Sequence, residues 1–234
     1  MTWPCCTRIT GEYAKAEPLY PLRVCRRFVA PSIPTSRLSL GNLSTLYQDM
    51  GEFAKAEPLL QEALRIRQKV LGPEHPDTAR DLNNLALLYQ EMGEYAKAEP
   101  LYQEALRVRQ KVHGPERPEV ALSLNNLGGL YQQMGEYAKA EPLYQEELRV
   151  WQKVRGPEHP DVALSLDNLG GLYLALDEYA KAEPLLQEAL RIRQKVFGNE
   201  HSDTAKSLNN LAALYGLLGE YAKAEPLFEE ALRI

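Results

Sequence analysis

The feature that most constrains this chain is a phrase that returns at a fixed distance. GEYAKAEP, with small changes, begins at Gly51, Gly93, Gly135, Asp177 and Gly219, an interval of 42 residues each time. A further copy begins at Gly11, only 40 residues before Gly51, so the register slips near the N-terminus. A second phrase, LNNLALLY from Leu82, returns as LNNLGGLY from Leu124, LDNLGGLY from Leu166 and LNNLAALY from Leu208, with a degenerate copy, LGNLSTLY, from Leu40. Self-similarity at such a period marks a repeat architecture, in which each unit buries its apolar face only against its neighbours.

Each unit reads as two helices. Between Asp77 and Glu91, Leu82, Leu85, Leu88 and Tyr89 fall on one stripe at helical spacing. Pro76 suits a first turn, where its missing N–H costs nothing, and Asp77 and Thr78 offer acceptors for the free N–H groups there. Gly93 breaks the chain and lets it turn. The second helix is predicted from about Glu94 to Val112, with Tyr95, Ala98, Tyr102, Ala105 and Leu106 inward. Gly114 and Pro115 end it, and Pro118 opens the next pair.

Small residues inside these helices call for a reason. Ala98 and Ala105 let two helices approach closely. Gly128, Gly129, Gly170 and Gly171 lie inside first helices, where each glycine costs roughly 1 kcal/mol against alanine. That cost points to close packing or to room left for a ligand. Pro58, Pro100, Pro142, Pro184 and Pro226 lie one and a half turns into second helices. Each removes a backbone hydrogen bond and is expected to bend its helix.

These residues resemble the tetratricopeptide repeat family, in the 42-residue variety found in kinesin light chains and many bacterial signalling proteins. The pattern of a large apolar residue, Leu, a small residue and Tyr stands here as Leu82, Leu85, Ala86 and Tyr89, and the later small–aromatic–small pattern as Ala98, Tyr102 and Ala105. The usual unit is 34 residues; the extra length falls in the second helix and the loop GPEHPD. The resemblance implies an all-α fold, a right-handed superhelical solenoid of helix-turn-helix repeats. It covers residues 34–234 as five tandem hairpins, the last truncated. Residues 1–33 read as an irregular segment with an orphan repeat helix near 11–28. Two departures from the family matter. No heptad region of the kind that joins a kinesin light chain to its heavy chain is present. The chain also stops part-way along its last helix without a polar cap, which reads as one part of a longer array.

The resemblance further implies that first helices line a concave groove that binds peptides. By motif, the groove residues are Asn42 in the first unit and Arg80, Asn83, Asn84 and Leu87 in the second. Asn125, Asn126 and Gln133 follow in the third, Asp167 and Asn168 in the fourth, and Lys206, Asn209 and Asn210 in the fifth. Asn42, Asn84, Asn126, Asn168 and Asn210 occupy one position in every unit. Asparagine is a mediocre helix former, and its amide offers donors and an acceptor. The ladder either clamps a ligand's backbone or bonds neighbouring helices and sets repeat spacing. The variable positions of the face would carry specificity. The expected partner is therefore a protein or peptide. The alternative is a structural role, with uncapped ends stacking on other copies, because terminal repeats normally need a polar outer face.

One unit breaks its own rule. Glu147 stands where the others have Ala63, Ala105, Ala189 and Ala231, and Trp151 where they have Arg67, Arg109 and Arg193. A carboxylate in a tight inter-helix site is costly unless paired. The bland expectation is local slack with Glu147 reaching solvent; the sharper one is a partner contact built on Trp151.

Charge and composition narrow the remaining classes. A net charge of −5 and a pI near 5.5 argue against nucleic acid, whose phosphates demand a basic surface. No run of 18 apolar residues exists, so no membrane span is expected, and the start MTWPCCTRIT does not read as a secretory signal. The three cysteines, Cys5, Cys6 and Cys25, lack zinc-ligand spacing and give no disulfide framework, consistent with a cytoplasmic protein. His75, His159 and His201 are equivalent loop residues that do not converge on a metal. Asn42-Leu43-Ser44 matches a glycosylation pattern, by chance on a helix of a cysteine-poor chain. Pairs such as Glu94 and Lys97 suit a solvated helix face. No phosphate loop or nucleophile constellation appears, so neither cofactor, metal nor enzymatic activity is expected.

Overall fold

The computed structural model describes residues 33–234. The helix expected near 11–28 and the three cysteines lie outside them. Ten helices and no strand run through the described residues. They are α1 (Ile33–Asp49), α2 (Phe53–Leu71), α3 (Pro76–Glu91), α4 (Tyr95–His113), α5 (Pro118–Gln133), α6 (Tyr137–Arg155), α7 (Pro160–Ala175), α8 (Tyr179–Phe197), α9 (Ser202–Leu217) and α10 (Tyr221–Arg233). They form tandem helix-turn-helix repeats. The chain divides within α4 into two compact units, one ending at Leu101 and one beginning at Tyr102.

The breaks are set by local chemistry. Between the two helices of each hairpin, Gly51, Gly93, Gly135 and Gly219 adopt φ of 73–75°, which costs glycine nothing. The fourth hairpin has Asp177 at this position, with φ of 56°. Three first helices, α3, α7 and α9, begin on a cap other than the one expected, while α5 follows Arg117 with no side-chain cap. The Nδ1 atoms of His75, His159 and His201 accept the backbone N–H groups of Asp77, Asp161 and Asp203 at 3.1, 3.2 and 3.1 Å. Each histidine thus satisfies one of the orphan donors of a helix start. Thr78 does not cap; its hydroxyl donates back to the Gly72 carbonyl at 2.8 Å. Inside α4 the backbone stays helical through Pro100.

In the first unit α1 packs on α2 and α2 on α3; in the second, each of α5 to α10 packs on the next. The leucines Leu88, Leu130, Leu172 and Leu214 are each fully buried at equivalent positions. Each such burial contributes about 1.5–3 kcal/mol. The alanines do as expected: Ala98, Ala105, Ala140, Ala182 and Ala189 have no exposed surface. Tyr95 and Leu106 are only half-buried, and Val108 takes the inward position one turn on.

The GEYAKAEP phrase also joins neighbouring repeats. The Tyr89 hydroxyl donates to Glu57 at 2.8 Å and accepts from Gln61 at 3.0 Å, while Lys97 lies 5.0 Å from the centre of its ring. Tyr173 and Tyr215 repeat this with Glu141 and Glu183 at 2.8 and 2.9 Å, under Lys181 and Lys223. Burial pushes the phenols of Tyr89, Tyr173 and Tyr215 above their ordinary range. The lysines therefore do more than dress a solvated face.

Candidate peptide-binding face

The predicted residues all lie on first helices, but they separate into two columns. In the first unit, Asn42, Arg80, Asn84 and Leu87 are exposed and Asn83 is half-buried. Arg80 pairs with Asp77 at 3.0 Å, and the Gln48 amide of α1 donates to Glu91 of α3 at 3.4 Å. In the second unit, Gln133, Lys206 and Asn209 are exposed, while Asn125, Asn126, Asn168 and Asn210 are half-buried. Lys206 pairs with Asp203 at 2.7 Å and holds that carboxyl below the usual range.

Asn84 of the first unit and Asn168 of the second make no side-chain hydrogen bond among the described residues, whereas Asn210, at the same repeat position, donates to Asp167. The preceding repeat position turns inward at Asp167. Asp167 is 8% exposed and stands 2.5 Å from the buried guanidinium of Arg193. That guanidinium also donates to the Ser207 hydroxyl at 2.6 Å and to the Asp203 carbonyl at 3.2 Å. Arg109 meets Ser123 and the Glu119 carbonyl in the same way, at 2.6 and 3.1 Å. In the first unit Arg67 is buried against Asp81, with Asp77 at 3.4 Å. The sequence held a signal for this arginine column: Arg67, Arg109 and Arg193 each follow a core alanine by four residues and so share its helix face.

The exceptional unit is built differently from either expectation. Glu147 does not reach solvent; it is 1% exposed. Its carboxylate accepts from the Asn125 amide at 3.2 and 3.1 Å, from the Ser165 hydroxyl at 2.9 Å, and from Trp151. Trp151 is 6% exposed and belongs to a core with Val150, Val162, Leu166 and Ile192, so it is not a surface anchor. The polar site that holds an arginine elsewhere is thus filled by an indole, and a carboxyl group supplies the acceptor.

The glycines also divide. A Cβ on Gly170 would stand 2.7 Å from Leu186 Cδ2, and one on Gly128 would stand 2.9 Å from the Tyr144 ring. Those two positions are closed by packing. A Cβ on Gly171 would meet nothing within 4 Å, and one on Gly129 only the Tyr144 hydroxyl at 3.7 Å. Gly171 forms part of a cavity of about 360 Å3, walled by Leu164, Asn168 and Leu174 of α7, Gln132 of α5 and Asn210 of α9. The Asn210 amide crosses to Asp167 at 3.2 Å. No group of His, Cys, Asp and Glu among the described residues could hold a metal ion. No helix of the described residues is long and apolar enough to cross a membrane.

Tandem hairpins, joined within each unit by repeated tyrosine contacts and carrying amides on their first helices, define an α-helical repeat module. The tetratricopeptide repeat model matches residues 35–111, 82–146, 119–195 and 161–234, and the chain belongs to that family. BtubC (BKLC) from P. vanneervenii is 29% identical with a TM-score of 0.80, over 95% of this chain and 89% of that one. A Podosopora anserina protein with nearly identical repeats of kinesin light chain type is 28% identical with a TM-score of 0.73, over 83% and 92%. MamA from Desulfovibrio magneticus, at 16% identity, a TM-score of 0.58 and coverage of 84% and 93%, shares the fold alone. No curated protein sequence matches the chain.

Proposed function

We propose that this chain is a non-catalytic, cytoplasmic scaffold that binds a peptide or partner domain on the face formed by its first helices. Tetratricopeptide repeats typically mediate protein–protein interaction, and the finer assignment rests on one observation. The cavity of about 360 Å3 on α7 and α9 combines exposed leucine surface with the unbonded amide of Asn168. Apolar walls with a few convergent polar groups are what ligand sites are made of. Asparagine amides bind main-chain groups whatever the side chain, and Leu164, Leu174 and Gly171 would select among side chains.

The test compares the intact chain with the Asn126→Ala/Asn168→Ala variant, both panned against a displayed peptide library, with circular dichroism as the control for folding. Peptides enriched by the intact chain and lost by a fully helical variant support the reading. Equal retention by both chains sinks it.

A second reading, self-association, is favoured by α10, where Tyr221, Phe228 and Leu232 are exposed apolar side chains. Sedimentation across a hundredfold concentration range tests it; a constant monomer mass rules it out.

A further inference from the structure

Every described hairpin junction of this kind other than one places an arginine against polar groups. The junction of α5, α6 and α7 places a carboxyl group there with no cation. Glu147 comes from α6, Asn125 from α5 and Ser165 from α7, and the Trp151 indole closes the site from α6 itself. Glu147 makes no ion pair among the described residues. Another carboxylate, the half-buried Asp161 of α7, acts on it electrostatically. Tyr144, one turn earlier on α6, is a further titratable neighbour, and its phenol is pushed well above its ordinary range, so it stays neutral. From α5 the uncharged Asn125 donates to it.

We propose that the α5–α6–α7 junction is a proton-operated joint: it stays packed while Glu147 carries a proton and opens locally once Glu147 is ionised. A buried anion without a counter-charge is expensive. Neutral donors offset part of that cost, and opening the junction to water relieves the rest. The direction of the titration agrees. Burial pushes the Glu147 carboxyl up to about 7, against the pull of Asn125, Ser165 and Trp151, and Asp161 adds to the rise. The joint therefore responds around neutral pH. Local opening of this kind is a normal property of packed elements with few ties. In an array where each repeat touches only its neighbours, such a joint changes the spacing of the helices on either side.

Hydrogen exchange on the intact chain tests the proposal, with rates at pH 6 and pH 8 corrected for the intrinsic pH dependence of amide exchange. With an open-state carboxyl at its ordinary 4.5 and a closed one at about 7, the opening equilibrium of α6 and α7 amides rises about tenfold over that interval. The rise disappears in Glu147→Gln, which cannot ionise. It also disappears in the Glu147→Ala/Trp151→Arg variant, which restores the sibling pair and guards against a misfolded glutamine variant. A flat ratio in the native chain, or a tenfold rise that survives in either variant, overturns the proposal.

Discussion

The guanidinium of Arg193 on α8 stands 2.5 Å from the carboxylate of Asp167 on α7, and both side chains are buried. Asn210 of α9 donates to the same carboxylate at 3.2 Å, so Asp167 ties three helices together. Burial alone pushes its carboxyl above the ordinary range, against Arg193. The two partners are not equivalent. Arg193→Met strands a buried charge and is expected to cost about 3–5 kcal/mol. Asp167→Asn installs the residue found at the sibling positions Asn83, Asn125 and Asn209. It leaves Arg193 its bonds to Ser207 and the Asp203 carbonyl, for a loss of about 1–2 kcal/mol. Urea unfolding of the two variants decides; equal losses would mean that the ion pair does not organise the site.

The inverted pair predicts a double-mutant result. Glu147→Ala alone takes their acceptor from the Asn125 amide and the Trp151 indole, while Ser165 keeps the Asp161 carbonyl at 3.1 Å, at a cost of about 1–3 kcal/mol. Trp151→Arg alone opens the core around Val150 and Ile192. Together they recreate the Ala63/Arg67 arrangement, and the pair is expected to recover at least about 1 kcal/mol of the summed loss. Additive losses would show that the two substitutions are unrelated.

Glu147 also sets the sign of a pH effect on overall stability. Its folded carboxyl keeps its proton to about pH 7, above the ordinary 4.5 of the unfolded chain. In that window the folded state binds more protons, so stability is full below 4.5 and falls as pH rises through 7, by up to about 3 kcal/mol. Denaturation at pH 5 and pH 8 measures this. A fall equally large in Glu147→Gln would assign it to other groups.

The period, the helix limits and the alanine contacts could be read from sequence because they repeat. Ala98 and Tyr102 mean the same thing in every unit, so one helix-spacing argument covers them all. What could not be read was anything that depends on which of two neighbouring polar residues turns inward. Asn83 and Asn84 are both asparagine; only packing decides that Asn125 reaches Glu147 and Asp167 reaches Arg193 while Asn209 stays exposed. Glu147 defeated a single-residue argument for the same reason. Two of its donors come from positions 125 and 165, on two other helices, and a rule about lone buried carboxylates has no access to them. The histidine caps were missed because histidine is not among the residues expected at helix starts, although its Nδ1 is an acceptor like any other.

Gly170 and Gly171 give paired, opposite predictions. Alanine at 170 would drive a methyl to 2.7 Å from Leu186 Cδ2 and 2.9 Å from Cγ, so the buried Leu186 side chain or α8 must shift. A loss of about 1–3 kcal/mol follows from such overpacking. Alanine at 171 enters open space on a regular helix and gains about 1 kcal/mol from propensity. Thermal unfolding separates them. If Gly171→Ala fails to stabilise, the cavity wall is not as open as the geometry states.

Asp177 is the positive-φ residue that the other hairpins would not choose. Its φ of 56° replaces the 73–75° of the glycines, and the Tyr179 hydroxyl donates to its carboxylate at 2.6 Å across an exposed surface. That bond raises the Tyr179 phenol but lies in water, where such contacts contribute little. An L-residue pays for the left-handed conformation with contact between its Cβ and the neighbouring peptide, although aspartate tolerates it better than most. Asp177→Gly removes the strain and raises the freedom of the unfolded chain, two effects of opposite sign. The strain is the larger, because four sibling turns have settled on glycine with nearly one φ. The expected net gain is about 0.5–1 kcal/mol, read as a higher urea midpoint at constant slope. The reciprocal change, Gly93→Asp, should lose a similar amount. A loss in Asp177→Gly would show that the Tyr179 bond, and not backbone strain, governs this turn.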